Sequence, residues 1–241
     1  MLFFTVHKCA STYVRKALRH LADEHLDLVP VNFAAFYHNT TAADTYEQIQ
    51  ANADRIFRPM GYLYAPVRHP VVVPNIDDYR IVIMLRDPRD VLTSLYYSLA
   101  ISHGLPPNAE RKRDFLQMRS EVQQQDIDTF VREYLPLYQE RYEGFLRLAQ
   151  KHNCTFIRYE DMISDFEPWA RQLGTGLGIE LTSADIAHLE RLGGFDRPVE
   201  ENVSKHIRQR TPGDHLRKLT PETVAFLNEQ LGPVLRGFGY A

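Results

Sequence analysis

Cysteine is scarce in this chain: Cys9 and Cys154 are the two examples in 241 residues. They lie far apart with no Cys-x-x-Cys spacing, which argues against a disulfide framework or a thiolate zinc site. Long apolar runs are also missing. No stretch approaches the roughly 20 residues that span a bilayer, and no secretory leader precedes the first apolar segment. The expected location is therefore cytoplasmic, with no membrane partner. Strong charge of one sign is lacking too, since the net value is −3, so no nucleic-acid partner is expected. There is no internal repeat or low-complexity tract, and no His/Cys/Asp/Glu cluster of ligand spacing, so no metal is expected.

What remains is an ordinary globular composition, 44% hydrophobic and 24% charged. At this length we expect a single domain over residues 1–241 with one sizeable core. The basic residues are uneven, because Lys205, Arg208, Arg210, Arg217 and Lys218 face only Asp214 in their stretch.

The most informative stretch is the first. Leu2-Phe3-Phe4-Thr5-Val6 reads as a strand and runs into His7-Lys8-Cys9-Ala10-Ser11-Thr12-Tyr13. Val14, Ala17, Leu18 and Leu21 then keep helical spacing. Strand, tight loop and helix bring an ammonium, two hydroxyls and free helix N–H groups to one point, which suits a phosphate or sulfate. The glycines of GxxxxGK[ST] are absent, so an ordinary ATP loop is disfavoured.

A second unit of the same design follows. Tyr79–Leu85 is a continuous apolar run suited to a central parallel strand, and it ends in Arg86-Asp87-Pro88-Arg89-Asp90. Asp87 suits an N-cap and Pro88 the first helical position. Arg86 and Ser94 could then grip a phosphate from two directions. Further strands are predicted at Asp27–Val31, Gly61–Val67 and Cys154–Tyr159, with a helix near Thr45–Phe57. The stretch from Ser102 to Asp128 reads as a surface excursion. Separate helices are predicted at Ile127–Leu135 and Tyr138–Lys151, and a helical region to Leu192 is interrupted at Gly174, Gly176 and Gly178. Thr220-Pro221-Glu222 is a helix-start signature. Alternating strands and helices define an α/β protein with a central, mainly parallel sheet flanked by helices. Ligands bind at the C-terminal strand ends of such sheets, where Lys8, Arg68-His69, Arg86 and Tyr159-Glu160 all fall.

Four of these segments resemble, in family order, the sulfotransferases that use 3′-phosphoadenosine 5′-phosphosulfate (PAPS). Lys8–Tyr13 looks like the 5′-phosphosulfate loop, and Arg86–Tyr97 like the 3′-phosphate motif. Arg158-Tyr159-Glu160-Asp161-Met162 is similar to the RYEDL-like strand end, and Ile207–Asp214 with Leu219–Glu222 to the C-terminal segment. The resemblance implies a P-loop nucleotide-kinase-like sulfotransferase fold. It implies in-line sulfuryl transfer from PAPS to a hydroxyl or amine of a small-molecule or glycan acceptor, leaving adenosine 3′,5′-bisphosphate (PAP) and requiring no metal. Lys8 would contact the transferring group, with Ser11, Thr12 and the backbone of Cys9 and Ala10 at the 5′-phosphate. Arg86, Ser94, Arg208, Gln209 and Arg210 belong to the 3′-phosphate motifs, and Tyr13 and Tyr159 to the base. Ala10 stands where glycine is common, Tyr13 where tryptophan is, and Gln209-Arg210 where Lys-Gly is. His69 is the expected base, since a near-neutral imidazole suits proton removal from a hydroxyl, with His38 and Glu110 as alternatives. A P-loop-type kinase and a non-catalytic nucleotide-binding member of the fold are the rival readings.

Overall fold

The short apolar runs become strands and the amphipathic stretches become helices, arranged so that every strand leads towards the same edge. The computed structural model describes residues 1–33, 42–106, 108–195 and 210–241. His38, Arg208 and Gln209 lie outside the described residues. The chain divides into two compact units, Met1–Arg86 with Gly144–Asp196, and Asp87–Glu143 with Arg197–Ala241.

The first unit holds the whole described sheet. Its strands are β1 (Leu2–Phe4), β2 (Val29–Asn32), β3 (Tyr62–Val67), β4 (Ile81–Leu85) and β5 (Cys154–Arg158), in the spatial order β2-β3-β1-β4-β5. All four pairings are parallel, with Leu2 opposite both Tyr64 and Ile81, and Ile81 opposite Cys154. All residues of β1 and β4 are buried, as the continuous apolar runs require of central strands covered on both faces. The chain passes from β1 outwards to β2, returns to β3, and then crosses to β4 on the other side of β1. That reversal makes the crevice beyond β1 and β4 the switch point at which ligands bind such sheets.

Around the sheet lie α1 (Ser11–His25), α2 (Ala42–Ala51), α3 (Ala53–Ile56), and the later α7 (Tyr159–Ser164), α8 (Phe166–Leu177) and α9 (Ser183–Gly193). Helix α1 buries Val14, Ala17, Leu18 and Leu21, the predicted stripe, together with Ala22. Helix α8 buries Trp169, Ala170, Leu173 and Leu177 and is not interrupted at Gly174 or Gly176. Those glycines serve close approach. A Cβ at Gly176 would sit 2.9 Å from Val82 Cγ2 and 3.0 Å from Thr155 Cβ, on two sheet residues. Only Gly178, with φ 78° at the C-cap, ends the helix.

The second unit is helical: α4 (Pro88–Tyr97), a π turn (Ser98–Ser102), α5 (Ala109–Gln123), the N-terminal part of α6 (Ile127–Lys151), then α10 (His215–Lys218), α11 (Pro221–Gln230) and α12 (Gly232–Phe238). Asp87 caps α4 by accepting from Arg89 N, and Pro88 opens it. The surface excursion thus contains a helix, capped by Asn108. The two helices expected from Ile127 to Lys151 are one, running through Pro136. An interior proline costs about 3 kcal/mol. Burial of Phe130, Val131, Leu135, Tyr138 and Tyr142, at about 1.5–3 kcal/mol per large apolar side chain, outweighs it.

The C-terminal segment is tied within this unit by Asp90, which is fully buried. Its carboxylate accepts from Gly213 N at 2.8 Å and His215 N at 2.9 Å, and it pairs with His215 Nδ1 at 2.7 Å. Asp128 accepts from Thr220 N and Oγ1, and Arg132 donates to Thr223 Oγ1.

Candidate functional site

The first unit builds its site from the residues just past β1, β3, β4 and β5. The loop after β1 is left-handed at two non-glycine positions, Lys8 (φ 64°) and Ala10 (φ 47°). Each such residue costs on the order of 1–2 kcal/mol, and strain of that kind gathers at binding sites. Ala10 is the N-cap of α1 and has no side-chain acceptor, and the first turn of α1 carries no acidic residue. The first N–H groups of α1 thus keep their positive end of the dipole uncompensated by side chains. Helices α4, α5, α9 and α11 are capped by Asp87, Asn108, Thr182 and Thr220.

Ser11 is buried at the first position of α1, whereas Thr12 is exposed. Cys9 is fully buried and its thiol donates to Met84 O at 3.6 Å, so it faces the sheet and offers a ligand only its backbone. Burial pushes that thiol up to about 12.

Arg86 follows β4 directly and is 3% exposed. Its Nη1 donates to Lys8 O at 3.2 Å, tying the second motif to the first loop. Its guanidinium carbon lies 4.6 Å above the centre of the Tyr159 ring. Tyr159 thus supports Arg86 through a cation–π contact. Tyr13 donates from its hydroxyl to Leu189 O at 3.2 Å and meets Phe195 edge to face at 4.8 Å. Its phenol is pushed up by burial and by nearby Glu190.

Beyond β3 stand Arg68 and His69, both half-buried. The His69 ring meets that of His7 edge to face, with centroids 6.3 Å apart. Arg68 Nη2 donates to Ser11 Oγ at 3.0 Å. The structure therefore brings Lys8, Ser11, Arg86, Tyr159 and His69 to the sheet's C-terminal edge. It adds His7, and it gives a partner to Arg68, which sequence reasoning placed at a strand end without a role. Their signal was adjacency, since each neighbours a residue already assigned.

In the second unit, Ser94 lies on α4 and is half-exposed. It is one turn beyond Asp90 on the same helical face, and Asp90 holds Gly213 and His215. Arg210, also in this unit, is half-buried. Glu110 is exposed in the first turn of α5. Among the described residues, no three His, Cys, Asp or Glu side chains gather as metal ligands would. None of the described helices is long and apolar enough to cross a membrane.

A parallel α/β sheet with a lysine-bearing loop and an uncapped helix start at its switch point fits a phosphate- or sulfate-handling protein. Comparison with known proteins narrows this class. The family model described as the sulfotransferase domain matches residues 69–239. The chain belongs to that family and is a sulfotransferase. No curated protein matches it in sequence. Among solved structures it resembles mouse sulfotransferase SULT7A1 complexed with PAP, at 13% identity and a TM-score of 0.65, over 98% of this chain and 83% of the other. It also resembles retinol dehydratase in complex with retinol and PAP, at 15% identity and a TM-score of 0.57, over 97% and 80%. The same enzyme in complex with androsterone and the inactive cofactor PAP gives 16% identity and a TM-score of 0.56.

Proposed function

We propose that the chain moves a sulfuryl group from PAPS to a hydroxyl or amine of a small-molecule or glycan acceptor, by in-line transfer. The observation that carries this reading is the bond from Arg86 Nη1 to Lys8 O at 3.2 Å. It joins two cationic motifs beside a helix start that has no side-chain cap. The groups offered are cations, hydroxyls and N–H donors, which fits a ligand carrying several phosphate and sulfate oxygens.

When bound, PAPS supplies a sulfuryl group already activated on its 5′-phosphate. The acceptor oxygen or nitrogen bonds to sulfur as the bond from sulfur to the 5′-phosphate oxygen breaks, its electron pair staying on that phosphate. In our assignment Lys8 neutralises the charge that grows there, and His69 removes the acceptor's proton. Ser11, Thr12 and the N–H groups of Cys9 and Ala10 bind the 5′-phosphate. Arg86 binds the 3′-phosphate, and Ser94, Arg208, Gln209 and Arg210 of the second unit serve the same group. Tyr13 and Tyr159 lie toward the base. Such a transfer asks the protein mainly for positioning and electrostatic stabilisation, by analogy with phosphoryl transfer. We take residues 1–241 to work as one sulfotransferase domain. Both cysteines are free thiols, which supports a reducing, cytoplasmic setting.

Calorimetry with PAP, ATP and ADP tests the donor, followed by transfer from labelled PAPS to an acceptor panel. Binding of PAP in preference to the other two, with label appearing in an acceptor, is the expected result. Preference for ATP with magnesium-dependent turnover overturns it.

A further inference from the structure

We propose that Arg68 is a donor-binding residue, a second cation that grips the 5′ end of the nucleotide together with Ser11 and Lys8. The inference rests on the donor reading above and assigns it a residue outside the four motifs.

The placement comes from the sheet. Thr5 N donates to Val67 O at 2.9 Å, so β1 and β3 stay paired to the last residue before Arg68. Arg68 therefore leaves β3 level with the start of the Lys8 loop on the neighbouring strand. From there Nη2 reaches Ser11 Oγ at 3.0 Å. Ser11 is buried in the first turn of α1, among the N–H groups that meet the anion.

The chemistry of that bond is directional. The guanidinium can only donate, so Ser11 Oγ is the acceptor, and its own proton points elsewhere. A hydroxyl accepting from a cation is polarised into a better donor. An anion oxygen taking that proton sits about 2.7 Å from Oγ, and hence within about 5 Å of Nη2. Arg68 has further N–H groups in a rigid fork, so a small rotation brings one onto the same phosphate.

The consequence is a division of labour between two cations. Lys8 comes from the loop and faces the bond that breaks. Arg68 comes from the strand beside it and holds the non-bridging oxygens of the 5′-phosphate, which remain on the nucleotide product. An arginine that only stapled β3 to α1 would affect every ligand of the site alike. An arginine on the 5′-phosphate affects only ligands that possess one.

The test is calorimetry of the full chain with PAP and with adenosine 3′-phosphate, which lacks the 5′ group, for wild type, Arg68→Gln and Arg68→Lys. Arg68→Gln is expected to weaken PAP binding by about 10- to 100-fold. It should leave adenosine 3′-phosphate within about twofold, because the 3′ contacts remain. Arg68→Lys keeps the charge without the fork, and should lose about 3- to 10-fold on PAP alone. Should Arg68→Gln fail to fold, the lysine variant decides by the same comparison. Equal losses on both nucleotides, or none on PAP, overturn the assignment of Arg68 and leave the donor reading intact. A wild type that binds neither nucleotide overturns both.

Discussion

Lys8 and Arg86 touch through one hydrogen bond, yet their removal should damage different kinetic constants. Arg86→Ala deletes a guanidinium that is 3% exposed, stacked on Tyr159 and bonded to Lys8 O. The stacking exists without ligand, so its loss lowers stability rather than affinity. With Arg86 on the 3′-phosphate as proposed, the affinity loss is that of charge-assisted bonds to one phosphate, about 1.5–3 kcal/mol. That corresponds to a rise of about 10- to 150-fold in the donor KM. In our assignment the 3′-phosphate is held equally before and during transfer, so kcat should change little. The bond to Lys8 O is long at 3.2 Å. A neutral bond of this kind is worth about 0.5–1.5 kcal/mol, which limits the indirect fall in kcat to about tenfold or less. Lys8→Ala removes the charge that our assignment places at the leaving oxygen, and losses of about 100- to 1,000-fold in kcat are typical of such groups. Initial rates with labelled PAPS, backed by single-turnover measurements to isolate chemistry, give both constants. Should Arg86→Ala cut kcat more than it raises KM, or Lys8→Ala spare single-turnover chemistry, the division of roles is wrong.

Three other changes follow from local geometry. Ala10→Gly relieves a left-handed alanine at φ 47°; after the extra chain entropy of glycine it should stabilise by about 1 kcal/mol, raising Tm by about 2–4 °C in calorimetry. Asp90→Ala strands the buried His215 N–H, the half-buried Gly213 N–H and the His215 imidazole, a cost of about 3–5 kcal/mol; hydrogen exchange should accelerate in residues 213–219 well before the sheet. Asp185 is held down to about 2 by bonds from Thr182 and by His25. A depressed carboxylate stabilises fully above its unfolded value, and that contribution fades as pH falls through the folded one. The stability gap between wild type and Asp185→Asn in urea should therefore persist down to about pH 4 and close as pH drops towards 2.

The sheet was legible because its strands are short apolar runs ending in charged or proline-rich punctuation, and Lys8, Arg86 and Tyr159 followed from those ends. The single helix through Pro136 was not, because a local breaker rule competes with burial that appears only in three dimensions. Gly174 and Gly176 misled for the same reason, since a packing glycine and a terminating glycine look alike in one dimension. Strand order also hid the partner of Arg68, which the sequence placed at a strand end without a role. Nothing in the chain says that β3 lies beside β1, and without that neighbour an arginine 57 residues from Ser11 has no visible partner.

Cys9 lies in the middle of the loop we assign to the donor, yet its sulfur is sealed against the sheet, fully buried and pushed up to about 12. Thiolate is the reactive form, so peroxide or alkylating agents meet an inert side chain as long as the loop stays closed. The same shielding makes Cys9 a clock. Its rate of modification measures how often the loop lifts from the sheet, and any nucleotide that seats on the loop slows that clock.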